Sequence, residues 1–396
     1  MMTKMIVFGE DWGAHPSSTQ HLMKSLSNKY EIVWVNSIGL RKPKLDRRDL
    51  VRVFSKLRKI FSHSAVTTSD HGIIVVNPLV IPWPGSRIAR WLNGHLLRRC
   101  LRRYVKSGEE LVLWTSLPSA VDVLGKLGES IVVYYCGDDF SALAGVDHRA
   151  VTAMEKELVR RSDLVLVASD QLHQKFSGRI THVIPHGVDV RLFSQVQPRP
   201  KDLPSGKPIA GFYGAFADWI DVPLLVALAK QCDDWNFVFV GPILTDPLAL
   251  KSLPNVFFLG EKPHQNLPGY SQHWQVSLLP FKDCPQIRAC NPLKLREYLA
   301  AGTAIVSAPF PALDEYIDSV YVAYDADTFA EAMRRSLREE HRKESIEQYC
   351  LNSLHRQMRV KNESWESRAA EVERLIRARL GRRGALQNGF ARCEQV

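Results

Sequence analysis

The chain has 396 residues, of which 45% are hydrophobic and 24% charged, and a formal net charge of +10. That length suits two domains, and the composition is that of a soluble globular protein able to bury sizeable cores, which excludes disordered and fibrous classes. No run of about eighteen apolar residues occurs, Met1-Met2-Thr3-Lys4 does not open a signal peptide, and the seven cysteines show no paired metal spacing, so reduced thiols in a cytoplasmic protein are expected.

Residues 1–200 hold 28 Lys+Arg against 18 Asp+Glu, leaving 24 against 24 in the remainder, so the basic excess lies in the first half. Met5-Ile6-Val7-Phe8-Gly9 is an apolar strand ending in a tight turn. A helix over 18–29 and a strand over 31–35 come next, which begins a parallel doubly wound α/β sheet. His15 and Ser17 lie in the loop after the first strand, a place for an acceptor or phosphate contact, although a lone histidine also serves structure. Residues 41–59 form the densest basic run, with Leu50, Val53, Phe54, Leu57 and Phe61 at helical spacing. Such a basic amphipathic segment favours an anionic membrane surface. Residues 87–106 repeat the theme, with Trp91, Leu92, Leu96, Leu97, Leu101 and Tyr104 among six arginines, and are read as a core helix with a solvated basic face. No aromatic-basic motif or zinc pattern points to nucleic acid as a partner.

Further strands are expected at 72–76, 111–114, 131–135, 164–167 and 182–184, with helices at 119–127 and 149–161. After 131–135 comes Cys136-Gly137-Asp138-Asp139-Phe140. Adjacent carboxylates at the carboxyl end of a strand suit removal of a proton from a hydroxyl, and Asp139 equally suits capping the next helix. The polar, proline-bearing stretch 196–207 reads as a linker between a domain over 1–195 and a second over 208–345. In the second, strands are expected at 208–214, 237–241, 256–260 and 276–280. Residues 346–380 are charged and helical in pattern, and 381–396 read as a flexible tail.

Asn291-Pro292-Leu293-Lys294-Leu295-Arg296-Glu297-Tyr298-Leu299-Ala300-Ala301-Gly302 carries the most chemistry. Pro292 suits the first turn of a helix and Gly302 the left-handed residue past its end. The first turn leaves N–H groups unpaired, and Lys294 adds a full positive charge, so an anion such as phosphate is favoured there. Glu297 shares the face of Lys294, where its carboxylate can accept two ribose hydroxyls. Phosphate beside a diol implies a nucleotide, while spacing alone fits an ordinary surface Lys–Glu pair as well. The one Asp-x-Asp, Asp325-Ala326-Asp327, opens a helical pattern and is expected to cap it, so no metal is expected.

Lys-x-x-Glu-Tyr-Leu-Ala-Ala-Gly, followed by the apolar strand Thr303-Ala304-Ile305-Val306-Ser307, resembles the donor-nucleotide site of GT-B glycosyltransferases. Ile184-Pro185-His186-Gly187-Val188-Asp189 resembles their interdomain segment. The resemblance implies two Rossmann-like domains facing across a cleft, with a terminal helix returning to the first. It implies donor contacts from Lys294, Glu297, Leu293, Glu261, Phe281, Phe216 and Arg288, with His186 touching the donor or ordering the hinge. Glu261 and the two phenylalanines fit a turn acid and core aromatics equally well, and Arg288 fits a surface charge. The segment 136–140 is similar to that of membrane-associated inverting enzymes such as the xanthan glucuronosyltransferase, where Asp138 falls on the catalytic base. Retaining members commonly carry a second glutamate eight residues before the ribose-binding one. Here that residue is Ala289, which favours inversion.

The expectation is therefore a cytoplasmic enzyme, peripheral on the inner face of the membrane. It would move a sugar from a nucleoside diphosphate donor, UDP-sugar in the first instance, to a lipid-linked or saccharide acceptor, without metal or other cofactor. A nucleotide-sugar epimerase of the same fold and a non-enzymatic nucleotide-sugar-binding adaptor are the alternatives.

Overall fold

The structure, a computed structural model, describes residues 2–13, 17–37, 67–69, 71–106, 108–143, 147–176, 178, 180–340 and 346–393. His15 and the basic run 41–59 lie outside the described residues. The chain divides into two units, Met1–Pro185 with Arg368–Val396, and His186–Ser367.

The first unit is built on β1 (Thr3–Phe8), β2 (Tyr30–Val35), β3 (Thr67–Thr68), β4 (Ile74–Val76), β5 (Leu111–Thr115), β6 (Ile131–Cys136), β7 (Leu164–Val167) and β8 (Thr181–Val183). They form one sheet in the order β3-β4-β2-β1-β5-β6-β7-β8, parallel except that β3 runs antiparallel to β4. β1, β5 and β6 are buried along their whole length, which explains their unbroken apolar sequences: both faces of a parallel sheet are covered. The strand order reverses between β1 and β5, so the crevice at their carboxyl ends is the ligand position of such a sheet.

The second unit repeats the plan with β9 (Ile209–Tyr213), β10 (Asn236–Val240), β11 (Val256–Phe258), β12 (Val276–Leu279), β13 (Ala304–Ser307) and β14 (Tyr321–Val322), in the order β11-β10-β9-β12-β13-β14 with every pair parallel. Its reversal lies between β9 and β12.

Several expectations change. The helix expected over 119–127 is a 3-10 segment, Pro118–Val123, ended by a turn in which Gly125 and Gly128 both take φ of +77°. The stretch 196–207 belongs to the second unit and does not link the two, because the chain passes between them at Pro185–His186. Its polar groups have partners there: Gln197 N–H donates to Gln272 Oε1 at 2.9 Å, and Asp202 takes Lys262 at 2.7 Å and the Tyr270 hydroxyl at 2.8 Å. Of the terminal helices, Ile346–Val360 packs on the second unit's Leu293–Ala301 helix. Trp365–Cys393 belongs to the first unit only from Arg368, and it runs on through 381–393. Before that stretch, Arg377 lies 5.6 Å over the Tyr30 ring, and Val372 and Ile376 are fully buried.

The helix Arg87–Leu101 turns Ala89, Gly94, Leu97 and Leu101 inward, as a core helix should. Its outer face is not simply basic. Ile88 is 72% exposed and Trp91 60%, with Trp83 just upstream at 56%. No described helix is long and apolar enough to cross a membrane.

Candidate active site

The helix Leu293–Ala301 begins after Pro292, which stands at the N-cap rather than within the first turn, and no side chain caps it. Its first N–H groups therefore keep their partial positive charge for a ligand. Gly302 ends the helix at φ +79°, its N–H donating to Tyr298 and Leu299 carbonyls at 3.1 and 3.0 Å. Ser353 also packs where a Cβ would stand, so glycine is required twice over.

Lys294 reaches from this helix to the carboxyl end of β9. A Cβ on Gly214, the residue after that strand, would stand 2.7 Å from its Nζ. Gly214 takes φ of +125° and Gly241, after β10, +138°; a Cβ on Gly241 would stand 2.8 Å from the Gly214 carbonyl carbon. Two strand ends and one ammonium thus meet through absent side chains at the reversal of the sheet. The ammonium also lies 5.7 Å over the Phe212 ring. Burial lowers the Lys294 pKa, and Glu297 opposes the shift.

Glu297, one turn on, is only 4% exposed, and His264 Nε2 lies 2.8 Å from its Oε1. His264 sits in the short 3-10 turn His264–Asn266, its ring edge-on to Phe193 at 5.5 Å. No motif pointed to this histidine, because 33 residues separate it from its partner. Arg296, on the opposite face, is buried and bonded through Nε to Glu363 Oε2 at 2.7 Å and through Nη1 to Asn291. Tyr316 donates to the other Glu363 oxygen at 2.7 Å. This cluster locks the helix to the segment before Trp365.

The 184–189 motif supports the same helix. Gly187 lets the backbone lie against Trp365, whose ring atoms would stand 2.9 Å from a Cβ, and Val188 N–H donates to Glu363 O at 2.9 Å. Asp189 caps Val190–Ser194 through Leu192 N–H at 2.9 Å, and that short helix packs against Leu293–Ala301. His186 faces the Trp365 ring at 6.5 Å, which fits an ordering role.

In the first unit, Asp138 and Asp139 follow β6 but differ in state. Asp139 accepts from Lys175 Nζ at 2.7 Å, Ser141 Oγ at 2.6 Å and Ser141 N–H at 2.9 Å. These donors outweigh its partial burial and lower its pKa. Lys175 also pairs at 2.8 Å with Glu155, a carboxylate 1% exposed that takes the Tyr134 hydroxyl at 2.8 Å. Asp139 is thus an anchored anion. Asp138 is exposed, and among the described residues nothing hydrogen-bonds to its carboxylate. Although one face of the residue meets solvent, the protein packed around its carboxyl, and then the Asp139 charge, raise its pKa. It is the freer and stronger base of the two.

The remaining candidates divide by environment. Phe216 is 2% exposed and stacks edge-on with Phe239 and Phe258, both at 5.4 Å; Phe281 meets Phe310 at 5.7 Å. Both are core aromatics just beyond strand ends. Glu261 is exposed after Gly260, beyond β11. Arg288 is exposed and forked onto Asp283 at 2.5 and 2.6 Å. Leu293 is half-buried at the helix start. Ser17 caps the Ser18–Leu26 helix through Gln20 N–H at 3.2 Å. Ala289 ends the helix Pro285–Ala289 and is buried. Asp325 bonds the Thr328 N–H at 2.8 Å, capping Ala326–Glu340. Among the described residues no three His, Cys, Asp or Glu side chains group to hold a metal.

Residues 207–339 match the family described as Glycosyl transferases group 1. A protein of Bacillus subtilis (strain 168), provisionally named teichuronic acid biosynthesis glycosyltransferase TuaH, is 28% identical over 226 residues, 52% of this chain and 57% of that protein. The match thus spans little more than half of the relative's length. Among solved structures, sucrose-phosphate synthase from Thermosynechococcus elongatus aligns with a TM-score of 0.68 at 18% identity, covering 95% of this chain and 98% of that one. Anabaena HepE in complex with UDP and glucose aligns at 0.66 and 12% identity, covering 94% and 99%. The Escherichia coli trehalose-6-phosphate enzyme bound with UDP-2-fluoro glucose aligns at 0.64 and 12%, covering 96% and 99%.

Proposed function

We propose that this chain, a GT-B fold whose residues 207–339 are a group 1 glycosyl transferase domain, transfers a sugar from a nucleoside diphosphate sugar to a saccharide or lipid-linked acceptor in bacterial polysaccharide synthesis. The observation that carries this reading is the uncapped start of Leu293–Ala301, with Lys294 laid over Gly214 at the sheet reversal and Glu297 on the same face. A diphosphate is neutralised by the Lys294 ammonium and the helix N–H groups, fixed charges that need no metal. Glu297, oriented by His264, accepts the ribose hydroxyls. UDP is the nucleotide of choice, since HepE and the trehalose-6-phosphate enzyme bind UDP and a UDP-sugar.

Transfer proceeds with inversion. Asp138 removes the proton of an acceptor hydroxyl, that oxygen bonds to the anomeric carbon, and the carbon–phosphate oxygen bond breaks with its electron pair on the diphosphate. Asp139 stays ionised on Lys175 and holds the turn. Ala289, where a second glutamate would stand in a retaining enzyme, supports this stereochemistry. The exposed Trp83, Ile88 and Trp91, with the exposed Arg98, Arg99, Arg102 and Arg103 further along the same segment, offer apolar and basic side chains suited to an anionic bilayer.

Titration calorimetry with UDP and UDP-sugars tests the donor site. Lys294→Ala should weaken binding about 10- to 100-fold, the loss of one charged hydrogen bond. Asp138→Asn should keep donor affinity and lose turnover. Unchanged affinity in Lys294→Ala would remove the basis of the proposal. Sugar analysis after incubation with donor alone separates transfer from epimerisation, which needs no acceptor.

A further inference from the structure

Glu10 stands two residues beyond β1, at the point where the first sheet's strand order reverses. Its backbone is held firmly: Trp34 Nε1 donates to the Glu10 carbonyl at 3.0 Å, and Gly9 N–H donates to Val35 O at 3.2 Å. Gly9 lies so close to Trp34 that a Cβ would stand 3.2 Å from the ring's Cε2. Neighbouring Asp11 has a partner, Ser37 N–H at 3.1 Å.

The Glu10 side chain is different. Its Oε1 is buried, and no hydrogen-bond partner reaches it among the described residues. Burial lifts its pKa to about 7; a backbone hydrogen bond offsets part of that rise, and Asp138 and Asp11 add to it. The charges that act on it are Asp138, after β6, and Asp11 in its own turn; the titratable groups on the neighbouring elements are Asp139 next to Asp138, Tyr30 and Glu31 on β2, and His21 and Lys24 on Ser18–Leu26. Of these, Asp139 is neutralised by Lys175, and Lys24 lies 5.9 Å over the Trp12 ring. Phe8 is in register with Thr115, and Thr115 with Tyr134. Glu10 and Asp138 therefore leave the same edge of one sheet two strands apart, about 10 Å by strand spacing. Folded proteins rarely leave a buried polar atom without a partner, and the crevice at a sheet reversal is where ligands of such sheets bind.

We infer that Glu10 is an acceptor-binding residue whose buried Oε1 receives a hydroxyl of the acceptor saccharide, orienting the sugar for proton removal by Asp138. This rests on the glycosyl-transfer reading, because it assigns the first unit's sheet edge to an acceptor sugar. The ionised carboxylate is the better hydroxyl acceptor, so saccharide affinity rises as Glu10 loses its proton.

Saturation-transfer NMR on the full chain, with a panel of methyl glycosides as probes, tests this without turnover. In the wild type at least one glycoside should receive transfer and bind about tenfold more tightly at pH 8 than at pH 6, as a carboxyl titrating near neutrality requires. Glu10→Gln keeps the side-chain shape; it should weaken that binding about tenfold at pH 8, flatten its pH dependence and leave UDP affinity unchanged. Asp138→Asn should still bind the glycoside. Equal binding and the same pH profile in Glu10→Gln, or no transfer to any glycoside in the wild type, overturns the inference. Turnover retained in Asp138→Asn would refute the proposed base while leaving the Glu10 result standing, so the two failures are distinguishable.

Discussion

Replacing Glu10 with glutamine preserves the side chain's shape and removes a charge that the fold disfavours, and the pH dependence of the effect is set by one pair of values. The carboxyl titrates at 4.5 when unperturbed and at about 7 in the folded chain. Below 4.5 it is protonated in both states and contributes no difference. Between those values the unfolded chain releases the proton while the folded one keeps it, so the stability contributed falls as pH rises and stays reduced above 7. A difference of about 2.5 in pKa corresponds to about 3 kcal/mol. Glu10→Gln should therefore unfold with wild-type stability near pH 4.5 and be the more stable protein at pH 8. At roughly 2–4 °C per kcal/mol for a unit of this size, the gain is roughly 6–12 °C in the first unit's transition. Scanning calorimetry of both proteins at the two pH values measures it. A difference that is the same at both pH values, or absent at pH 8, would refute the burial argument. Paired with weaker saccharide binding, the gain would mark a group kept for function at the expense of stability.

Other perturbations have equally definite outcomes. Arg296→Ala leaves Glu363 in a buried site without its cation and should destabilise the second unit by about 3–5 kcal/mol, read from chemical denaturation; a change below about 1 kcal/mol would mean that the cluster does not hold the helix. Trp83→Glu with Trp91→Glu changes side chains that are mostly exposed, so the fold should persist. Binding to phosphatidylglycerol vesicles should drop at least about tenfold, and wild-type binding should weaken in salt. Unaltered vesicle sedimentation in the double variant would remove this face from the membrane reading.

The parts of this molecule that were legible in its sequence are those set by near neighbours in the chain. Gly302 closes its helix through its own φ and two adjacent carbonyls, and the apolar runs of β1, β6 and β12 state their burial directly. Residues that depend on distant partners were not legible. Glu297 acquires His264 across 33 residues, and Asp139 acquires Lys175 across 36. The resemblance favours Asp138 over Asp139; the geometry adds that Asp139 is anchored by Lys175 and Ser141, a difference that no local pattern contains. The proline-bearing stretch 196–207 looks like a linker because its composition is polar, yet Gln272, Lys262 and Tyr270 supply its partners. Glu10 belongs to no motif, since burial of a single carboxylate oxygen is a property of the folded sheet edge.

In the proposed reaction an acceptor hydroxyl, deprotonated by Asp138, displaces the diphosphate in a single step. Proton NMR of the glycoside formed from an α-linked donor tests it most directly. The product's anomeric proton should show the β configuration from the first turnover. An α-configured product would contradict it and would return the roles of Asp138 and Ala289 to question.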